Sequence, residues 1–164
     1  MRIAVQGVKG GVGTTTITVA LATLLNANIS AIDPTDLQTI LTEKPTFDET
    51  KRGMHVRDLG VTKNFQTYPS FDINVLVTRN DFLSLSRCNE SASKFDLLVI
   101  QRVEKNAIAP EVFANACNAK RWIEIDVLPR IARSIDAGVF TSRMPDEIKL
   151  PLQDYTNEIA KELV

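Results

Sequence analysis

Residues 9–16 read Lys9-Gly10-Gly11-Val12-Gly13-Thr14-Thr15-Thr16, and they join two segments of different periodicity. Before them, Ile3 to Val5 is a short apolar run that stops at Gln6-Gly7, as a buried strand does. After them, Ile17, Ala20, Leu21, Leu24 and Leu25 recur between Thr15 and Asn26 at the spacing of a helix buried on one face. Gly7, Gly10, Gly11 and Gly13 fall within seven positions. Residues without a Cβ let successive backbone N–H groups turn inward as an anion-binding nest. A helix starting at Thr15 aims its positive end at the same point, so a phosphate fits there. A glycine-rich strand-to-helix turn with no ligand is the plain alternative for a bare glycine loop. The full string is more specific than that.

Working outward, further strand patterns lie at Ile29 to Asp33, Met54 to Asp58, Ile73 to Thr78, Leu97 to Gln101 and Trp122 to Asp126. Helical patterns lie between several of them: Asp81 to Ser91, Pro110 to Ala116, and Arg130 to Ala137 ending at Gly138. The tail from Asp146 repeats Ile148, Leu152, Tyr155, Ile159 and Leu163 at helical spacing, with Pro151 expected to break or start a helix. Six strands alternating with helices predict an α/β fold, a mostly parallel sheet with helices on both faces. With no internal repeat or linker, the chain reads as a single compact domain, 1–164.

A hydrophobic content of 44% against 24% charged residues excludes a disordered or fibrous chain. The net charge of -1 gives no global attraction to nucleic acid or anionic membrane, so any such contact needs a local patch. Cys88 and Cys117 lack metal-ligand spacing and read as reduced structural thiols. The start of the chain does not have the layout of a signal peptide, and a cytoplasmic location is expected. His55 falls inside a strand pattern and reads as a packed or edge residue.

The loop resembles that of the ParA/MinD family of deviant Walker A P-loop ATPases, which reads KGGVGKT followed by threonine. Lys9 matches the family's signature lysine, which reaches across a nucleotide-sandwich dimer. Gly10, Gly11, Val12, Gly13, Thr14, Thr15 and Thr16 match the phosphate-binding stretch, and Thr15 falls where the family's magnesium-binding hydroxyl lies. Position 14, a second lysine in the family, is threonine here, and the GGVGTTT form looks most like the CpaE/TadZ branch. The resemblance implies a MinD-like P-loop fold, ATP or ADP with Mg2+ as ligands, and a homodimer. Losing one charge-assisted phosphate contact costs about 1.5 to 3 kcal/mol, or roughly ten- to a hundred-fold in affinity. Binding survives that loss; hydrolysis is slow or absent, since Thr14 brings no charge to the transferring phosphoryl group.

Other segments extend the resemblance. Asp33 resembles the first acid of the family's D-x-D motif, which activates the attacking water, and Asp36 is the next acid, one residue late. Asp36 as the cap of a following helix is the alternative. In Val56-Arg57-Asp58-Leu59-Gly60, Asp58 resembles the Walker B aspartate that holds a magnesium-bound water; a turn aspartate before glycine is the alternative. Gln101-Arg102-Val103 resembles the family's Asn-Arg-Val, with the Gln101 amide able to read adenine. Leu128-Pro129-Arg130-Ile131-Ala132 resembles its base-side loop, compressed at Pro129. The resemblance thus implies Lys9, Asp33 and Asp36 as catalytic, Gln101, Arg102 and Pro129 on the base, and Thr15 and Asp58 on the metal. The chain is short for the family, the shortfall lying between Thr39 and Gly53 and between Gly60 and Phe71.

Two functions compete. One is a nucleotide-dependent dimerising switch that localises a protein partner or cargo. The other is a pseudo-ATPase scaffold that binds nucleotide weakly or not at all. DNA binding is open through Lys120, Arg121, Arg130, Arg133 and Arg143, although such a set is usually a solvated face. The acidic tail, with Asp146, Glu147, Asp154, Glu158 and Glu162, disfavours a membrane anchor.

Overall fold

The computed structural model describes the chain except residues 34, 36, 38–39, 42–52, 62–64, 104–107 and 162–164. Asp36 therefore lies outside the described residues, as do parts of the segments between Thr39 and Gly53 and between Gly60 and Phe71. The strands are β1 (Arg2–Gly7), β2 (Asn28–Ala31), β3 (His55–Val61), β4 (Ile73–Arg79), β5 (Leu97–Arg102) and β6 (Trp122–Asp126). They form one sheet in the order β2-β3-β1-β4-β5-β6, and every neighbouring pair is parallel. The helices whose bounds lie among the described residues are α1 (Thr14–Leu24), α2 (Phe82–Asn89), α3 (Pro110–Ala116), α4 (Pro129–Asp136) and α5 (Asp146–Lys161).

Side-chain alternation along the central strands divides the interior into two cores. Val75, Val77, Leu97 and Val99 face one layer with Ile17, Leu21, Leu152 and Ile159 of α1 and α5. Leu76, Leu98 and Ile100 face the other, with Phe113 of α3 and Cys88 of α2. Helices thus cover both faces, and the central strands read as continuous apolar runs because neither face meets water. In the second core the Cys88 and Cys117 thiols are free, buried and hydrogen-bonded to each other, and that bond together with burial holds the Cys117 thiol far above its ordinary pKa.

Two expectations need correction. Pro151 neither breaks nor starts a helix, because α5 runs through it from Asp146 to Lys161. A proline in a helix interior costs about 3 kcal/mol. Ile148, Leu152, Tyr155 and Ile159 are all buried, and at roughly 1.5–3 kcal/mol each they outweigh that cost. The second strand stops at Ala31, so Asp33 stands beyond its end. Asp33 Oδ1 instead accepts a bond from Thr35 N at 3.0 Å, a local turn that ends the strand early.

The strand order locates the cleft. After β1 the chain crosses to the edge of the sheet at β2 and returns to β3, beside β1, on one side, and from β4 onward it builds outward through β5 and β6 on the other. The direction of winding reverses between β1 and β4, and ligands of open α/β sheets bind outside the carboxyl ends of strands at such a point.

Candidate functional site at the carboxyl ends of β1 and β4

The turn from β1 into α1 occupies this switch point. Gly7 is packed so closely that a Cβ there would stand 2.2 Å from Thr14 Oγ1 and 2.9 Å from Val12 Cγ2. Gly11 and Gly13 have φ of 74° and 79°, a left-handed backbone that only glycine adopts without strain. Gly13 is the N-cap of α1 and offers no side-chain cap, and the first turn holds no acidic residue. The first bond within the helix runs from Ile17 N to Gly13 O, 3.1 Å. The amides of Thr14, Thr15 and Thr16 therefore point off the end of the helix without an intrahelical acceptor. Glycine curvature and a bare helix start together form a cradle for an anion.

Thr14 does not reach into this cradle. Its side chain is buried, 7% exposed, with the hydroxyl turned back over Gly7. Thr15 and Thr16 are half-buried at the start of α1. Asp58, 3% exposed, lies on the same face of the sheet as α1, since it shares the alternation of Val56 in the first core. Its Oδ1 accepts from Gly60 N at 2.7 Å, and the positive φ of Gly60, 64°, makes that return possible. Gln101, opposite Arg79 in the β4–β5 register, lies on that face too. Its amide rests against the loop, with Nε2 2.2 Å from where a Gly13 Cβ would be.

The other expected residues are placed differently. Lys9 Nζ binds Asp81 Oδ2 of its own chain at 2.6 Å, with side-chain exposures of 20% and 39%. Asp81 also caps α2, accepting Ser84 N on Oδ1 at 2.9 Å. Burial pushes the Asp81 carboxyl up, and the bonds from Lys9 and Ser84 more than reverse that, so its pKa falls below the ordinary value. Asp33 is exposed, its carboxyl held low by the bond from Thr35 N. Arg102, on the face opposite Gln101, is engaged by Asp126 at 2.6 Å and Glu124 at 3.5 Å. Pro129 is exposed at the first turn of α4. The structure thus gathers residues 9–16, Asp58 and Gln101 at one edge and leaves Arg102 and Pro129 at its rim.

The end of β4, Arg79-Asn80-Asp81, belongs to the same edge, and reading the sequence alone does not find it. Arg79 Nη2 lies 4.0 Å from where a Gly11 Cβ would be. Asn80 is buried and its Oδ1 receives Val103 N at 3.0 Å, which joins the ends of β4 and β5. The only available signal was a polar and charged triplet closing an apolar strand.

Because the Asp81 pKa is lowered, the stability it contributes is fully present above the ordinary carboxylate value of 3.8 and is lost as pH falls through the lowered value. Asp81→Asn is expected to melt at a lower temperature than the wild type at neutral pH. Thermal melts in acid check this: the gap should close as the pH drops below 3.8.

Comparison with known proteins accords with this geometry. The sequence profile of the CobQ/CobB/MinD/ParA nucleotide-binding domain matches residues 3–142. No curated sequence matches. Among solved structures, the MinC:MinD cell division protein complex of Aquifex aeolicus aligns with TM-score 0.71 at 14% identity, covering 98% of this chain and 96% of that one. The septum site-determining protein MinD of Pyrococcus horikoshii, complexed with Mg-ADP, aligns with TM-score 0.66 at 14% identity, covering 99% and 98%. A ParA family ATPase of Chlorobium tepidum aligns with TM-score 0.64 at 11% identity, covering 95% and 98%.

Proposed function

Given that this chain belongs to the CobQ/CobB/MinD/ParA nucleotide-binding domain family, we propose that it is an adenine-nucleotide switch with slow or no ATP hydrolysis. The observation that carries this is the uncapped start of α1 behind Gly11 and Gly13 at the switch point of the sheet. In this reading the amides of residues 10–16 hold the phosphates. Thr15 and Asp58, on one face of the sheet, hold Mg2+, whose bound form supplies charge neutralisation at the phosphates. Gln101 backs the loop, and Arg102 and Pro129 form the rim on the base side. Slow turnover follows from position 14, where the buried Thr14 puts no lysine at the transferring phosphoryl group, and from Asp33, whose carboxylate is engaged by Thr35.

Dimerisation through this edge is part of the proposal. Ile32, Val61, Phe82, Leu83, Val103 and Leu128 are exposed large apolar side chains, and each follows or ends a strand at its carboxyl end. Apolar exposure gathered on one edge marks an interaction surface, and a second copy with Lys9 acting in trans fits it. A protein partner or cargo would then be recruited by the dimer. DNA is a weaker candidate, because Lys120, Arg121 and Arg130 are paired in cis with Asp96, Glu158 and Glu147. Among the described residues no helix is long and apolar enough to cross a membrane, and the free, buried thiols of Cys88 and Cys117 suit a reducing cytoplasm. The pseudo-ATPase scaffold is the second reading, and the Lys9–Asp81 pair within one chain favours it.

Calorimetric titration of ATP and ADP with magnesium decides between the two. Micromolar or weaker affinity is expected, and Thr14→Lys, which restores the family's loop, should tighten it by roughly ten-fold. Absence of heat at millimolar ATP for both proteins would leave the scaffold.

A further inference from the structure

We propose that Arg79, at the end of β4, is the phosphate-binding cation of this site and stands in for the lysine absent at position 14. This rests on the nucleotide reading above and names the residue that makes it workable. Among the described residues three cationic side chains lie at the loop, one from the loop itself, one from β4 and one from α2, and their partners differ. Lys9 is neutralised by Asp81. Arg87 is committed through Nη1 to Val8 O at 2.9 Å. Among the described residues Arg79 has no carboxylate partner, and its buried Nε has no acceptor.

A guanidinium is always charged and carries five donors in a planar fork. Leaving one of those donors buried without an acceptor costs about as much as a lost hydrogen bond. Such a group persists most economically where an anion arrives to satisfy it. The geometry supplies the place: the fork lies against Gly11, where a Cβ would come within 4.0 Å of Nη2. Gly11 belongs to the cradle, and its left-handed backbone and missing side chain keep the space between fork and loop open. Arg79 shares the alternation of Val75 and Val77, so it points to the face of the sheet that carries α1. A phosphate in the loop would take backbone N–H groups from one side and the Arg79 fork from the other, the bidentate arrangement in which arginine binds most strongly.

The test is calorimetric titration of Mg-ATP, and separately of inorganic tripolyphosphate, into the wild type, Arg79→Met and Arg79→Lys, with a thermal melt of each ligand-free protein. Arg79→Met is expected to lose about ten-fold in affinity for both ligands. Its ligand-free melting temperature should match or exceed that of the wild type, because an unpartnered donor has been removed. Arg79→Lys keeps the charge but not the fork and should fall between the two. Equal affinities for wild type and Arg79→Met would overturn the assignment while leaving the nucleotide site standing. A wild type that takes up neither ligand would remove the site itself. Should Arg79→Met fail to fold, the arginine is structural and the proposal fails, unless Arg79→Lys melts as the wild type does and still binds tripolyphosphate several-fold more weakly.

Discussion

Gly13→Ala is expected to reduce nucleotide affinity by more than about a hundred-fold and to lower stability by about 2 kcal/mol, the largest effect of any single change in the loop. The stability part comes from the backbone. Gly13 has φ 79°, and an L-residue held there costs about 1–2 kcal/mol. The affinity part comes from what the new methyl meets. It would stand 2.2 Å from Gln101 Nε2 and 3.0 Å from Oε1, so the amide that backs the loop must leave. If the backbone relaxes to relieve both faults, the amides of Thr14 and Thr15 turn from the anion, and losing two such bonds to a charged group amounts to about 3 kcal/mol or more. Gly10→Ala is the control, since a Cβ there meets nothing within 4 Å. Urea unfolding and calorimetry on both variants check the prediction. A Gly13→Ala protein as stable and as tightly binding as Gly10→Ala would mean that the loop does not hold this conformation in solution.

What the sequence could disclose depended on how local each cause was. The loop was legible because a glycine string between a strand period and a helix period has one local solution. Pro110–Ala116 was legible to the residue, since proline at the first turn fixes where that helix begins. Pro151 misled because its local penalty is offset by burial against a sheet edge that no local pattern reveals. Asp33 was expected at a strand end, but its own short side chain competes for a backbone amide two residues on and ends the strand early. Arg79 and Asp81 were out of reach for a different reason. They meet the loop because β4 lies beside β1, a pairing between segments about seventy residues apart. Strand order is a tertiary property. Only once β1 and β4 are neighbours does a charged triplet at the end of one become part of the site at the end of the other.

Lys9→Ala bears on the step from monomer to dimer. In the single chain its Nζ is held by Asp81, and the pair is partly exposed, so removing it should change monomer stability by no more than about 1 kcal/mol. In a nucleotide-sandwich dimer the same ammonium would leave Asp81 for a phosphate of the second copy. That bond is charge-assisted and partly desolvated, so its loss should weaken the dimer by about 2 kcal/mol, or some thirty-fold. Asp81→Asn should act in the opposite direction. Asparagine can still accept Ser84 N and cap α2, but it no longer holds the lysine by charge, so the trans contact forms without an ion pair to break. Light scattering with ATP and magnesium on the wild type, Lys9→Ala and Asp81→Asn gives the comparison. A dimer weakened by the first change and strengthened by the second establishes that Lys9 alternates between a cis carboxylate and a trans phosphate. If all three proteins show the same mass, whether monomer or dimer, the Lys9–Asp81 pair is an ordinary surface tie and the dimer, where one forms, does not depend on it.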